Sequence, residues 1–126
     1  MKTVDRAFGW LLVLGGLLHA VGAWNANHAK PDILLWALTG SLAAFLIAAL
    51  NLLRVERPHD RPLAWLSLAG SIAWLAVALS VGALAGNFLD VRVASNVLNA
   101  AVLAAMSIRS LRAGALMYSP AAELER

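Results

Sequence analysis

Polar side chains inside long apolar runs are the residues of this sequence best placed to do chemistry. His19, Ser41, Asn96 and Asn99 each interrupt such a run, and Trp74 lies in the middle of another. Counted at 1.5 Å per residue from the run ends on one common side, the four polar residues lie about 7–12 Å deep. Ionisable residues at membrane depth are functional candidates by default. We therefore predict a ligand-binding cluster of His19, Ser41, Trp74, Asn96 and Asn99.

Two interpretations of His19 stay open from the sequence. In the first, it titrates, ligates haem or contacts a substrate in an outward-open pocket. In the second, it is a neutral histidine whose ring bonds an asparagine or a backbone carbonyl on a neighbouring helix, and Asn96 and Asn99 likewise make structural bonds between helices. Bis-histidine haem would need two copies of His19 across a dimer. Polar loop residues would line the rim of the pocket: Asn25, Asn27, His28, Asp32, Asp90 and Arg92.

Familiar catalytic patterns are missing from the apolar runs. They contain no Ser-His-Asp set, no paired carboxylates and no HExxH spacing, and the chain has no glycine-rich phosphate loop and no cysteine. His28 and Asp32 are spaced i, i+4 and could bind a metal weakly, but a solvated loop is the better explanation of them. The basic residues are divided among the ends of the runs, which argues against nucleic-acid binding. We predict neither an enzyme nor a metal site.

The elements that must position these residues are membrane spans. Of 126 residues, 61% are hydrophobic and 13% are charged, whereas soluble domains have about 25% charged residues. Four apolar runs, at 7–24, 33–53, 63–86 and 91–114, have about the 20 residues that a helix needs to cross a bilayer. Pro31 fits a first helical turn, Gly86 a helix stop and Asp90 an N-cap. The sequence predicts one all-α domain, 1–126, an integral membrane four-helix bundle with a short cytoplasmic tail at 115–126.

The distribution of basic residues predicts the orientation of these spans. An even number of spans places both termini and the second loop on one side of the membrane. Cytoplasmic segments carry an excess of Lys and Arg. The outer side has only Lys30 and Arg92, and the other side has the remaining eight: Lys2, Arg6, Arg54, Arg57, Arg61, Arg109, Arg112 and Arg126. We expect an antiparallel up-down bundle in a bacterial inner membrane, with both termini cytoplasmic.

Small residues predict which helix faces pack, because lipid tails give helices no hydrophobic reason to associate. The first three spans each have one such face. The fourth has two, a polar side (Ser95, Asn96, Asn99 and Ser107) and a small apolar side (Ala94, Ala100, Ala101, Ala104 and Ala105). One inward face is enough for a four-helix bundle. The sequence therefore predicts that Ala94, Ala101, Ala104 and Ala105 contact another membrane protein or a second copy of this chain.

Two families of four-span proteins bear comparison. Length and span number resemble the small multidrug resistance transporters, but those need an acidic residue in the middle of the first span, where this chain has Gly15, Gly16 and Leu17. The turn Gly16-Leu17-Leu18-His19 resembles part of the first span of DoxX-like four-helix membrane proteins. That resemblance covers four residues and implies nothing about activity.

Three functional hypotheses follow from these observations. The leading one is a non-catalytic accessory or assembly subunit of a membrane complex, or a homo-oligomer, with lipid and other membrane subunits as its partners. The second is a small transporter or ligand-binding membrane protein with an outward-facing pocket around His19, Asn96 and Asn99. The third is a membrane enzyme acting on a lipid or quinone, or a haem-binding dimer.

Overall fold

Four long helices make up the fold. The computed structural model describes residues 2–117, and in this range it contains α1 (Lys2–Asn27), α2 (Pro31–Glu56), α3 (Arg61–Ala85) and α4 (Val91–Met117), with no strand. All four are long and apolar enough to cross a membrane. The all-α prediction is confirmed. The third helix ends one residue before the predicted boundary, α4 continues past residue 114, and the predicted tail from residue 118 onward lies outside the described residues.

Local sequence signals explain where the helices begin and end. Pro31 occupies the first turn of α2, where its missing N–H costs no hydrogen bond. The side chains of Asp60 and Asp90 accept hydrogen bonds from the backbone N–H of Leu63 (3.0 Å) and Arg92 (2.8 Å), which satisfies free donors at the starts of α3 and α4. Gly86 ends α3 in the left-handed conformation, with φ of 64°. The connections are short, so consecutive helices run antiparallel.

Glycines bring the helices of each hairpin close together. A Cβ added at Gly9 would lie 2.7 Å from Leu52 Cδ2, and one at Gly16 would lie 2.8 Å from the Phe45 ring, so α1 approaches α2 only because both residues are glycine. Gly82 likewise accommodates the ring of Phe88 beside α3. The α1–α2 and α3–α4 hairpins then pack together around a small apolar core: Leu12, Ala44, Ala48 and Leu103.

The outer surface of the bundle is apolar. Trp10 and Trp65 are exposed near one end, and Trp24 and Trp36 are exposed near the other, an arrangement typical of the aromatic belts of membrane proteins. Leucine, isoleucine and valine side chains are exposed on all four helices between them. Contiguous apolar surface of this extent is rare on soluble monomers. It is the surface that a lipid bilayer would cover.

Candidate ligand-binding site

A cavity of about 370 Å³ lies between the four helices, in the half of the bundle next to the connections 28–30 and 86–90. Every helix contributes to its walls. His19, Ser41, Trp74 and Asn96 line it together, so four of the five residues predicted to form a ligand site lie around one space. The rest of the lining is mostly small or apolar: Gly15, Gly16, Gly40, Ala44, Val77, Ala78, Val81 and Val93, with Arg92 at the α4 end.

Ser41 is the most unusual polar group in this lining. Its side chain is 3% exposed, and its Oγ has no hydrogen-bond partner among the described residues. Ser71, Ser80, Ser107 and Ser110 instead donate to the carbonyl four residues earlier in their own helices. A buried hydroxyl without a partner is energetically costly and calls for an explanation.

The neighbouring histidine explains why Ser41 lacks the usual partner. The carbonyl four residues before Ser41 belongs to Ala37, and in an α-helix it accepts the Ser41 N–H. His19 Nε2 lies 3.2 Å from the same oxygen. Since a carbonyl has two lone pairs, the helix and the His19 ring together use both. The hydroxyl of Ser41 is thus left without this acceptor.

His19 combines features of both interpretations left open by the sequence. It lines the cavity, and its ring also bonds a backbone carbonyl on the neighbouring helix. Because a carbonyl only accepts, Nε2 must carry the hydrogen in this contact. His19 is also exposed, so it stands at the open edge of the cavity. The ring lies beside Gly40, where an added Cβ would be 3.5 Å from Nε2.

Trp74 and Asn96 form a fixed polar contact across the α3–α4 interface. The indole Nε1–H donates to Asn96 Oδ1 (3.1 Å), and Asn96 Nδ2 donates to the Arg92 carbonyl (2.8 Å). Both side chains are half-buried. Trp74 also packs against the apolar core. This contact therefore fixes the indole ring as one wall of the cavity.

Asn99 does not line this cavity, which departs from the predicted cluster. It lies about one turn further along α4 than Asn96, and its Nδ2 donates to the Phe8 carbonyl of α1 (3.2 Å). This is a structural bond between helices, the second interpretation of Asn99 in the sequence analysis. Asn99 instead borders a second cavity of about 330 Å³ between α1 and α4. Its Oδ1 is buried without a partner among the described residues.

Only part of the predicted alanine face of α4 lies on the outer surface of the bundle. Ala94, Ala101 and Ala105 are exposed. Ala104 is only 8% exposed, so the prediction that it lies on the same outer surface is wrong, and Ala100 is buried as well. The reason is that α4 turns this edge of the alanine face toward the bundle, beside Leu103 in the core.

A buried ion pair at the opposite end of the bundle was missed by the sequence analysis, which placed Arg54 just beyond the second apolar run, among the basic residues of the cytoplasmic side. Arg54 lies inside α2 and is 1% exposed. Its Nη2 contacts Asp5 Oδ1 of α1 at 2.6 Å, and its Nη1 donates to Ser110 of α4 at 2.9 Å. Asn51 bonds the same guanidinium and also donates to Ser71 of α3, so one network joins all four helices.

The register of the α1–α2 hairpin could have revealed this pair from the sequence. Residues that meet across α1 and α2 have numbers adding to about 60, as in Gly9–Leu52 and Gly16–Phe45. The same rule places Asp5 opposite Arg54. The nearby Arg6–Glu56 pair (2.6 Å) follows it too, but both of its side chains are more than half exposed. Such an exposed pair contributes little to stability.

The chemistry available in the cavity favours binding. No carboxylate lines it, and Arg92 supplies its permanent positive charge. Among the described residues no group of three or more His, Asp or Glu side chains could hold a metal ion. Donors and one free hydroxyl surrounded by apolar walls suit an uncharged or anionic ligand with a substantial apolar part.

Comparisons with known proteins identify no relative: no family model, no curated protein and no solved structure matches this chain.

Proposed function

We propose that this chain is an integral membrane protein of a bacterial inner membrane, with four spans and both termini in the cytoplasm. The apolar outer surface and the four long apolar helices support insertion. The eight-to-two distribution of basic residues supports the orientation. In this orientation, the cavity is in the outer half of the bilayer and the Arg54 network is near the cytoplasmic face.

Within that frame, we propose that the protein binds a small, largely apolar ligand in the cavity between its helices. The observation that carries this proposal is the unpartnered hydroxyl of Ser41, a residue that lines a cavity of about 370 Å³. Ligand sites have volumes of about 300–1,000 Å³ and combine apolar walls with a few polar groups that orient the ligand. A bound ligand would give Ser41 the hydrogen bond that the protein does not.

Binding is a better account of this site than catalysis. General acid–base chemistry needs a proton donor or acceptor free to reach the reacting atom. The cavity lining has no carboxylate, cysteine, lysine or tyrosine that could exchange protons together with His19, and Asn96 is held by Trp74. We therefore propose a carrier or ligand-binding role, of which transport would be one form.

Native mass spectrometry of the protein extracted gently from its own membrane tests this proposal. The wild type is expected to retain one non-protein mass per chain. Gly40→Leu should lose it, because the new side chain enters the cavity and its Cβ meets only His19, at an ordinary 3.5 Å. Gly22→Leu is the matched control, since Gly22 lines neither cavity and a Cβ there has no neighbour within 4 Å. A wild type without added mass, or equal retention by Gly40→Leu, contradicts the proposal.

Association through α4 is a second candidate function, as a subunit of a complex or a homo-oligomer. The observation in its favour is the exposed small-residue surface of Ala94, Ala101 and Ala105. Such surfaces let helices approach closely in lipid. Ala101→Leu should then reduce the assembled mass in the same native spectra while the monomer stays intact. An unchanged assembly, or a purely monomeric wild type, would contradict this candidate.

A further inference from the structure

We infer that the ligand is a single-chain lipid with an anionic head group, the head lying beside Arg92 in the cavity and the chain in the α1–α4 groove. The α1–α4 groove is the second cavity, whose apolar walls include Leu11, Leu14, Leu18 and Leu98. This inference rests on the proposed function, because it assigns a ligand class to the same site. Arg92 determines the charge of the head group, and the residues that line the α1–α4 groove determine where the chain lies.

Arg92 selects the charge of the head group. It lines the cavity, which has no carboxylate in its lining, and its guanidinium takes part in none of the ion pairs found among the described residues. Asp90, the acidic residue nearest to Arg92 in the sequence, accepts a hydrogen bond from the Arg92 backbone N–H. A guanidinium binds a carboxylate or phosphate through paired, charge-assisted hydrogen bonds. Arg92 is also one of only two basic residues on the proposed outer side, so orientation of the spans does not explain its presence.

The cavity and the α1–α4 groove lie next to each other at Gly15 and Asn96. These two residues line both spaces. A Cβ added at Gly15 would have no neighbour within 4 Å, so at this point α1 leaves room beside α4 that no side chain of the protein fills. A hydrocarbon chain leaving the cavity at Gly15 would meet the leucine and phenylalanine side chains of the groove, whose polar lining residues, Ser95, Asn96 and Asn99, all belong to α4. The two spaces share only this pair of lining residues, so we assign one chain to the groove.

The polar and apolar parts of the site follow the same order along the membrane normal as the head and chain of a lipid in the outer leaflet. Arg92 lies in the first turn of α4, next to the proposed outer boundary. From there the groove follows α1 from Leu18 to Leu11, a distance of about 10 Å at 1.5 Å per residue, toward the middle of the bilayer. An amphiphile of the outer leaflet has its head and chain in this same order. It could enter sideways between α1 and α4 without turning over.

Photolabelling of the full-length protein in phosphatidylcholine nanodiscs tests the inference. The probes are a long-chain fatty acid with a mid-chain diazirine, the alcohol of the same chain, and a lysophospholipid with a phosphate monoester head and the same chain. We expect at least tenfold more labelling by one or both anionic probes than by the alcohol. The label should lie on α1 and α4 residues of the groove, such as Leu14 and Leu98. A stronger carboxylate or phosphate signal identifies which anion the site prefers.

Two variants separate the parts of the inference. Arg92→Gln should reduce anionic labelling at least tenfold and leave alcohol labelling unchanged. Gly15→Leu should abolish labelling in the groove, whereas Gly22→Leu should not. Arg92→Gln also keeps the test decisive if Gly15→Leu fails to fold. Equal labelling by acid and alcohol overturns the anionic head, and groove labelling that survives in folded Gly15→Leu overturns the chain path. If the protein retains a ligand in native spectra but the anionic probes do not label it, this inference fails and the proposed function stands.

Discussion

Replacing Ser41 by alanine should stabilise the ligand-free protein, although the position is buried. The Ser41 hydroxyl has no partner among the described residues, and a buried polar group in that condition costs about 1–3 kcal/mol. Alanine removes the hydroxyl and leaves the rest of the side chain in place. We expect the free energy of unfolding to rise by about 1 kcal/mol, the lower end of that range.

Ser71→Ala is the matched control, because Ser71 is equally buried but fully bonded. Its hydroxyl donates to the Ser67 carbonyl (2.8 Å) and accepts from Asn51 Nδ2 (3.2 Å). Side-chain hydrogen bonds in membrane proteins contribute about 0.6 kcal/mol each on average, so losing both should cost about 1 kcal/mol. The two variants should therefore differ by about 2 kcal/mol, roughly a 30-fold difference in the unfolding equilibrium constant.

The assay is SDS-induced unfolding in mixed micelles, followed by far-UV circular dichroism after exhaustive detergent exchange to remove bound lipid. Wild type, Ser41→Ala and Ser71→Ala are compared at one protein concentration. The reasoning is refuted if Ser41→Ala destabilises the protein as much as Ser71→Ala does. That result would mean that the Ser41 hydroxyl has a protein partner and is not available to a ligand.

Three further outcomes follow from the packing. Asp5→Asn should destabilise the protein by about 3–5 kcal/mol in the same unfolding assay, because it leaves the Arg54 charge buried and unpaired; wild-type stability would show that water reaches this guanidinium. Gly16→Ala should cost about 1–3 kcal/mol through overpacking against Phe45, whereas Gly22→Ala should cost nothing, and equal effects would contradict the close approach of α1 and α2. Ala104→Leu should lower the stability of the monomer itself, because Ala104 is buried; an effect on association alone would place it back on the outer surface.

Much of the fold could be predicted because its signals are local. Helix lengths follow from the apolar runs, and the ends follow from Pro31, Gly86 and Asp90, each of which acts on its own helix turn. The cluster of His19, Ser41 and Asn96 was also predictable, since depth in a span depends only on residue count.

The parts that could not be predicted depend on how helices rotate against their neighbours. A rotation of α4 places Asn99 against the Phe8 carbonyl and Ala104 in the core, and periodicity alone does not fix it. The competition between His19 and Ser41 for the Ala37 carbonyl needs the distance between α1 and α2, which Gly9 and Gly16 set. Arg54 was misjudged because a charge at the end of an apolar run is normally solvated.

Electron density in the cavity tests the central claim most directly. A crystal structure of the protein purified from its own membrane and grown in a lipidic phase should show a non-protein molecule within hydrogen-bond distance of Ser41 Oγ. Part of this molecule should lie between Trp74 and His19, two of the cavity walls. A cavity closed by side chains, with the Ser41 hydroxyl bonded to its own helix, would contradict the claim that this space is a ligand site.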